Sequence, residues 1–131
     1  MRHRSLLIVA AWSGILIHAH AQVPFEYREL GACSHSGNPY GTDGVLQARK
    51  VGPSQVLIAT VPLNCGSHVK VTVDDGTPMY VNIADVFVKG EARAICNCMR
   101  RFEITLKAHV PTGATIWLLG NGRGAASTKA E

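Results

Sequence analysis

Apolar and polar residues alternate in several short stretches of this chain. Between positions 68 and 73 three valines alternate with polar residues, and from Phe102 to Ala108 every second residue is apolar. Successive side chains of a β-strand point to opposite faces, so a period of two predicts strands with one buried face. Beyond the N-terminal segment we find no stretch with the period of a helix. The chain is therefore predicted to be built from strands.

Clusters of Gly, Pro, Asn and Asp separate these stretches, as is typical of turns. The turn 74–78 (Asp-Asp-Gly-Thr-Pro) and the turn 111–113 (Pro-Thr-Gly) each predict a hairpin. In chain order, strands are predicted at Phe25–Glu29, Val45–Lys50, Gln55–Val61, His68–Val73, Met79–Val88, Ala92–Cys98, Arg101–His109 and Thr115–Leu119.

Seven or eight short strands at a spacing of roughly 8–12 residues are typical of two-sheet proteins. The sequence therefore predicts an all-β fold, an antiparallel two-sheet sandwich of the immunoglobulin-like kind. A small closed β-barrel is the alternative. A parallel sheet would need crossover helices, for which the chain has no room.

The N-terminus has the pattern of a signal peptide. A basic start, residues 1–5, precedes the apolar run 6–17, and Ala19-His20-Ala21 supplies a small-x-small cleavage sequence. The apolar run is shorter than the roughly 20 residues that cross a bilayer. We therefore predict that residues 1–21 are removed on export to the periplasm or the exterior, without membrane insertion afterwards.

The rest of the chain is predicted to contain one β domain, residues 22–119, and a flexible C-terminal tail, residues 120–131, because the tail is rich in Gly, Ala, Ser and Thr. The whole chain carries a net charge of +4, and loss of Arg2 and Arg4 with the signal peptide lowers it to +2. So small an excess does not indicate a nucleic-acid partner. A monomer is expected.

The four cysteines, Cys33, Cys65, Cys96 and Cys98, predict two disulfides in an exported protein. A direct bond between Cys96 and Cys98 would close a small strained ring. Each of these two is therefore expected to pair with a distant partner. The sequence leaves open whether the pairs are 33–96 with 65–98 or 33–98 with 65–96.

Nearby histidines suggest an alternative use of the same cysteines. Cys33 precedes His35 by two positions and Cys65 precedes His68 by three, and such pairs are zinc or copper ligands in other proteins. An oxidising compartment favours disulfides over thiolates, and no Cys-x-x-Cys pair is present. We therefore expect neither a metal nor another cofactor, and a periplasmic zinc- or copper-binding protein is the alternative.

The sequence contains no Gly-x-Ser-x-Gly, His-Glu-x-x-His or Gly-rich phosphate loop. A hydrolase would need a histidine beside an acid such as Glu103 or Asp85. No catalytic residue is predicted, and the protein is expected not to be an enzyme. Arg100 and Arg101 are expected to be solvated at the start of a strand.

The long loop Ser34–Gly44 is the candidate binding surface. It is Gly-rich, it follows a cysteine that would fix one end, and it carries His35, Ser36 and Tyr40. Trp117 lies on the outer face if Ile116 and Leu118 are core, and it would then mark a contact with a partner or a sugar. The role expected for it is filling of the core.

Two fragments resemble known families. Residues 96–106, with the turn and strand at 111–116, look like the last hairpin of small secreted bacterial β-sandwich proteins in which a Cys-x-Cys opens the penultimate strand. The sequence Ser36-Gly37-Asn38-Pro39-Tyr40 is similar to the Ser-Gly-x-x-Tyr motif of periplasmic lysozyme inhibitors. That similarity implies that Ser36 and Tyr40 are inhibitory contacts. The predicted function is an exported, disulfide-stabilised, non-enzymatic binding protein, an inhibitor or immunity-type module whose partner is another protein.

Overall fold

A computed structural model of the chain describes residues 23–92 and 94–131, so the predicted signal peptide, residues 1–21, lies outside the described residues. Within these ranges the chain forms strands and no helix, and hence no helix that could cross a membrane. The strands are β1 (Phe25–Glu29), β2 (Val45–Val51), β3 (Ser54–Asn64), β4 (His68–Asp74), β5 (Met79–Val86), β6 (Asn97–Leu106), β7 (Thr115–Gly120) and β8 (Arg123–Lys129).

The strands form two four-stranded sheets that pack face to face. The first sheet has the order β1-β6-β3-β2 and the second has the order β4-β5-β7-β8. On one side the sheets approach each other at β2 and β8, where the amide of Gly44 donates to the carbonyl of Ala125 at 3.0 Å. The sheets do not close into a barrel. The predicted two-sheet sandwich is therefore confirmed at the level of its two packed layers.

One strand pair differs from the expected antiparallel pattern. β5 and β7 are parallel, with Tyr80 beside Trp117 and Val81 beside Leu118. A parallel pair needs a crossover connection, and here the connection passes through β6, which belongs to the opposite sheet. The crossover thus needs no helix, and the expectation that a parallel pair would require one is wrong for this chain.

The core lies between the sheets and follows the alternation of the sequence. Its fully buried members include Leu57, Val61, Ile83, Phe102 and Leu118. Burial of one such side chain contributes about 1.5–3 kcal/mol. Trp117 lies between the buried Ile116 and Leu118 and is 38% exposed. It therefore occupies the outer face of the second sheet, and the expectation that it fills the core is wrong.

The two strands predicted at 92–98 and 101–109 are one strand, β6, which begins at Asn97. The expectation that both arginines are solvated at a strand start is wrong for Arg100. Arg100 instead points inward with Cys98 and Phe102 and is 7% exposed. The alternation thus continues through the arginines without a break.

The prediction of a flexible tail at 120–131 is wrong. Residues 123–129 form β8, which pairs with β7, and Ala130 is buried. The amide of Ala130 donates to the carbonyl of Ala114 at 2.9 Å, and the amide of Glu131 donates to Oε1 of the buried Gln55 at 3.2 Å. Small residues can hold an edge strand because the ladder needs only their backbone groups.

Candidate functional site

The predicted binding loop starts from a fixed base. The amide of Leu30 donates to the carbonyl of Arg101 at 2.8 Å. Cys33 is bonded to Cys98, and Ser34 and Met99 exchange two backbone hydrogen bonds of 2.9 and 2.7 Å. The segment 30–34 therefore continues along β6 beyond the end of β1, and the loop leaves the sandwich after Ser34.

His35, Ser36 and Tyr40 lie beyond this base. The hydroxyl groups of Ser34 and Ser36 are 2.6 Å apart, and the amide of Ser36 donates to Oγ of Ser34 at 3.2 Å. A turn closes where the amide of Gly41 donates to the carbonyl of Asn38 at 3.0 Å. Tyr40 is 74% exposed, and His35 and Ser36 are also exposed. The loop thus presents an aromatic ring to solvent from a hydrogen-bonded turn.

A groove of about 400 Å³ lies between this loop and the outer face of the first sheet. The groove is lined by residues of the segment 30–37 and of the strands β3 and β6, namely Leu30, Ala32, Ser34, Ser36, Gly37, Thr60, Met99 and Arg101. This volume falls in the range of about 300–1,000 Å³ that is usual for ligand pockets. The flexible thioether of Met99 can adapt to the shape of an occupant. Of the three predicted binding residues His35, Ser36 and Tyr40, Ser36 lines the groove.

The disulfides follow one of the two pairings that the sequence left open. Cys33 is bonded to Cys98 and Cys65 to Cys96, with Cα–Cα distances of 5.6 Å in both pairs. The two bridges are neighbours, because the sulfur atoms of Cys33, Cys65 and Cys98 all lie within 4.8 Å of one another. One end of the sandwich is therefore held by two adjacent cross-links.

The histidines do not join the cysteines. Among residues 23–92 and 94–131, the one group of three or more potential metal ligands consists of Cys33, Cys65 and Cys98. Nε2 of His68 lies 3.1 Å from a carboxylate oxygen of Glu91, at the surface. The six Cys and His ligands of the alternative hypothesis are therefore not brought together.

The carboxylates considered for acid–base chemistry also have other partners. Oε1 of Glu103 accepts from Nε of Arg28 at 3.1 Å. Asp85 accepts from the amide of Asn64 at 3.1 Å and from Nδ2 of Asn121 at 3.0 Å. In the described part of the chain, the contact between His68 and Glu91 is the one approach within 4.0 Å of a histidine nitrogen to a carboxylate oxygen.

Sequence reasoning missed a buried polar cluster centred on Arg100. Its Nε and Nη2 donate to the two carboxylate oxygens of Glu29 at 2.6 and 2.9 Å. Its Nη1 donates to the carbonyls of Asn64 and Ser67, at 3.0 and 2.9 Å, and to Oγ of Ser67 at 3.1 Å. The Ser67 hydroxyl in turn donates to Asp85. The cluster thus links both sheets at the end that carries the disulfides.

The charge of Arg100 is fully compensated. Hydrogen bonding to the Glu29 carboxylate raises the pKa of the Arg100 guanidinium above its ordinary value, although burial acts in the opposite direction. No buried side-chain polar atom in the described ranges lacks a hydrogen-bond partner. Because Cys98, Arg100 and Phe102 share one strand face, the alternation itself could have indicated that Arg100 points inward.

This end of the sandwich carries the loop with its exposed tyrosine and an open groove, on a base that two disulfides and the ion pair of the buried Arg100 with Glu29 hold in place. Such an arrangement can recognise a partner surface. Comparison with known proteins adds nothing to this picture, since no protein family, curated protein or solved structure matches the chain.

Proposed function

We propose that the chain is an exported, non-enzymatic binding protein that presents the loop 34–44 to another protein, as an inhibitor or immunity-type module. The observation that carries this proposal is the exposure of Tyr40, 74%, on a loop whose base is fixed by the Cys33–Cys98 disulfide. A tyrosine ring held out on a fixed loop offers a partner a large contact area, and tyrosine is enriched in protein interfaces.

The fixed base lowers the cost of binding. Ordering a mobile loop on association costs about 0.5–1.5 kcal/mol for each immobilised side chain with many rotamers. The hydrogen bonds between Ser34 and Met99 and the turn at Asn38 reduce this cost, because they already hold the backbone. Tyrosine is enriched among the residues that dominate binding energy, since its ring offers contact area with few rotatable bonds.

The groove beside the loop gives the partner a place to insert a side chain. Met99 supplies apolar surface, Arg101 supplies a positive charge, and Ser34 and Ser36 supply hydroxyl groups. Export is supported by the signal-like N-terminus and by the disulfides, which form in oxidising compartments. We expect the exported protein to be a monomer in the periplasm or outside the cell.

Site-specific photo-cross-linking tests the proposal. A photoreactive phenylalanine derivative replaces Tyr40 in one variant and Tyr27 in a control, because Tyr27 on β1 is 45% exposed and lies outside the loop 34–44. Irradiation of cells that export the variants should give a discrete adduct from position 40 and none from position 27. Adducts of equal yield from both positions, or none from position 40, would contradict the proposal.

Metal binding by the reduced chain is a second candidate function, favoured by the proximity of the sulfurs. Zinc in tetrathiolate sites has Zn–S bonds of about 2.3 Å, so its four sulfurs lie about 4 Å apart. Cys33, Cys65 and Cys98 are already within 4.8 Å of one another, and Cys96 is bonded to Cys65. A dithiol reductant that opened both disulfides would leave four thiols, which release their protons when they bind the ion.

Cobalt titration distinguishes this candidate from the first. The reduced chain should show the intense visible absorption of Co²⁺ bound to four thiolates, and the oxidised chain should not. The variant with Cys65→Ser and Cys96→Ser should lose the absorption, whereas His35→Ala and His68→Ala should keep it. Absence of the absorption in the reduced chain would refute metal binding and leave the loop proposal intact.

A further inference from the structure

Two exposed aromatic residues occupy paired positions of neighbouring strands on the outer face of the second sheet, opposite the sheet that carries the loop 34–44. Tyr80 of β5 and Trp117 of β7 are partners in the parallel register. They are 41% and 38% exposed, although Val81, Ile116 and Leu118 beside them are completely buried. The core-facing residues therefore fix both rings on the solvent side.

A carboxylate extends this pair into a row. Asp74, the last residue of β4, is the antiparallel partner of Tyr80. Neighbouring strands are about 4.8 Å apart, so the backbone positions of Asp74, Tyr80 and Trp117 on three adjacent strands together span about 10 Å. An exposed negative charge and two aromatic rings thus stand side by side on one surface.

The turn from β4 to β5 adds a groove of about 330 Å³ at the end of this row. It is lined by Asp74, Asp75, Gly76, Thr77, Pro78 and Tyr80, a set with two carboxylates and no basic residue. Within the described ranges, neither carboxylate takes part in a hydrogen bond or an ion pair of its side chain. Both remain available to a cation from outside.

The basic residues of this face do not occupy the row. Nζ of Lys129 donates to Oγ1 of Thr115 at 2.5 Å. Lys70 lies opposite Ala84, four residues before Asp74 along β4, which corresponds to about 13 Å. The row is therefore a local negative site on a chain whose net charge is +4.

We propose that this row, with its groove, binds an organic cation through an ammonium or guanidinium group. The faces of aromatic rings carry negative potential and attract such cations within about 6 Å, most strongly for Trp. The negative carboxylates of Asp74 and Asp75 also attract a cation. A neutral sugar would also stack on the rings and donate its hydroxyl groups to the carboxylates, but it would leave their negative charge uncompensated, whereas a cation neutralises it.

NMR titration of the full chain tests this proposal through the indole Nε1–H signal of Trp117, which is assigned by its loss in Trp117→Phe. The probes are choline, its neutral isostere 3,3-dimethyl-1-butanol, L-argininamide and cellobiose, each at matched ionic strength. Choline or argininamide should shift the signal and the neutral probes should not. A stronger response to argininamide would identify the natural ligand as a basic side chain of a partner. A stronger response to choline would identify it as a quaternary ammonium compound.

Variants then locate the site. Tyr80→Leu should weaken binding of the cation about twofold to fivefold, and Asp74→Asn should weaken it by up to about fivefold. Tyr27→Leu on the other sheet should leave it unchanged. Equal shifts with the neutral isostere, a response to cellobiose alone, or no response to either cation would overturn the proposal. Because the row and the loop 34–44 lie on opposite sheets, neither result depends on the proposed function.

Discussion

Arg100 and Glu29 form a two-point ion pair at the end of the sandwich, with distances of 2.6 and 2.9 Å between their nitrogen and oxygen atoms. Glu29 is the last residue of β1 and directly precedes the segment that becomes the binding loop. Arg100 lies two residues after Cys98, which is bonded to Cys33 in that segment. The ion pair and the disulfide thus hold the base of the loop at two points.

Replacement of the buried cation should destabilise the fold strongly. Arg100→Met leaves the carbonyls of Asn64 and Ser67 without this donor and the part-exposed carboxylate of Glu29 without its partner, so the free energy of unfolding should fall by about 2–4 kcal/mol. Urea denaturation measures this change. The matched control is Arg28→Met, which breaks the exposed pair with Glu103 and should cost no more than about 1 kcal/mol. Similar losses in both variants would contradict the role assigned to Arg100.

Disulfide mapping should give the pairs 33–98 and 65–96. The intact mass measured without reductant should be lower by four hydrogens than that of the reduced chain. In the chain-entropy treatment, loops of 65 and 31 residues each correspond to about 4 kcal/mol of stability.

The two bridges should differ in their effect on binding. Replacing Cys33 and Cys98 by Ser should reduce cross-linking from position 40, because this bridge fixes the loop. Replacing Cys65 and Cys96 by Ser should lower stability with less effect on that yield. If both replacements reduced the yield equally at a temperature where both variants are folded, the loop would not depend on its own bridge.

The turn between β7 and β8 offers a test of the C-terminal strand. Gly122 has a φ of +77°, and a Cβ atom added there would meet no other atom within 4 Å, so Gly122→Ala introduces backbone strain alone. Its cost should be about 1–2 kcal/mol. Gly124 in β8 also has open space but no positive φ, and Gly124→Ala should leave the stability unchanged or raise it by up to about 1 kcal/mol. If residues 120–131 were disordered, the two variants would not differ.

The missed strand shows which local signal was overlooked. Asn121-Gly122 is the dipeptide that two-residue hairpin turns favour, and both residues adopt positive φ, 51° and 77°. The backbone amide of Asp85 donates to Oδ1 of Asn121 at 2.7 Å, and Nδ2 of Asn121 donates to the Asp85 carboxylate at 3.0 Å. The prediction of a flexible tail followed instead from the composition of residues 120–131, because small polar residues are also typical of disordered segments.

The sequence by itself determined the class of the fold and most of its strands. Alternation of apolar and polar residues dictates which face of a strand is buried, and this is why Phe102, Ile104 and Leu106 were predicted to lie together on the face that proves to be core. The irregular loop that carries His35, Ser36 and Tyr40 was recognisable from its glycines and its neighbouring cysteine.

Only the tertiary structure decided how distant segments meet. The pairing of Cys33 with Cys98, the parallel contact of Tyr80 with Trp117 and the ion pair of Arg100 with Glu29 join residues that are 37 or more positions apart. Local patterning carries no information on which strands become neighbours across a sandwich. That choice depends on how the two sheets bury their apolar faces together while every buried polar group finds a partner.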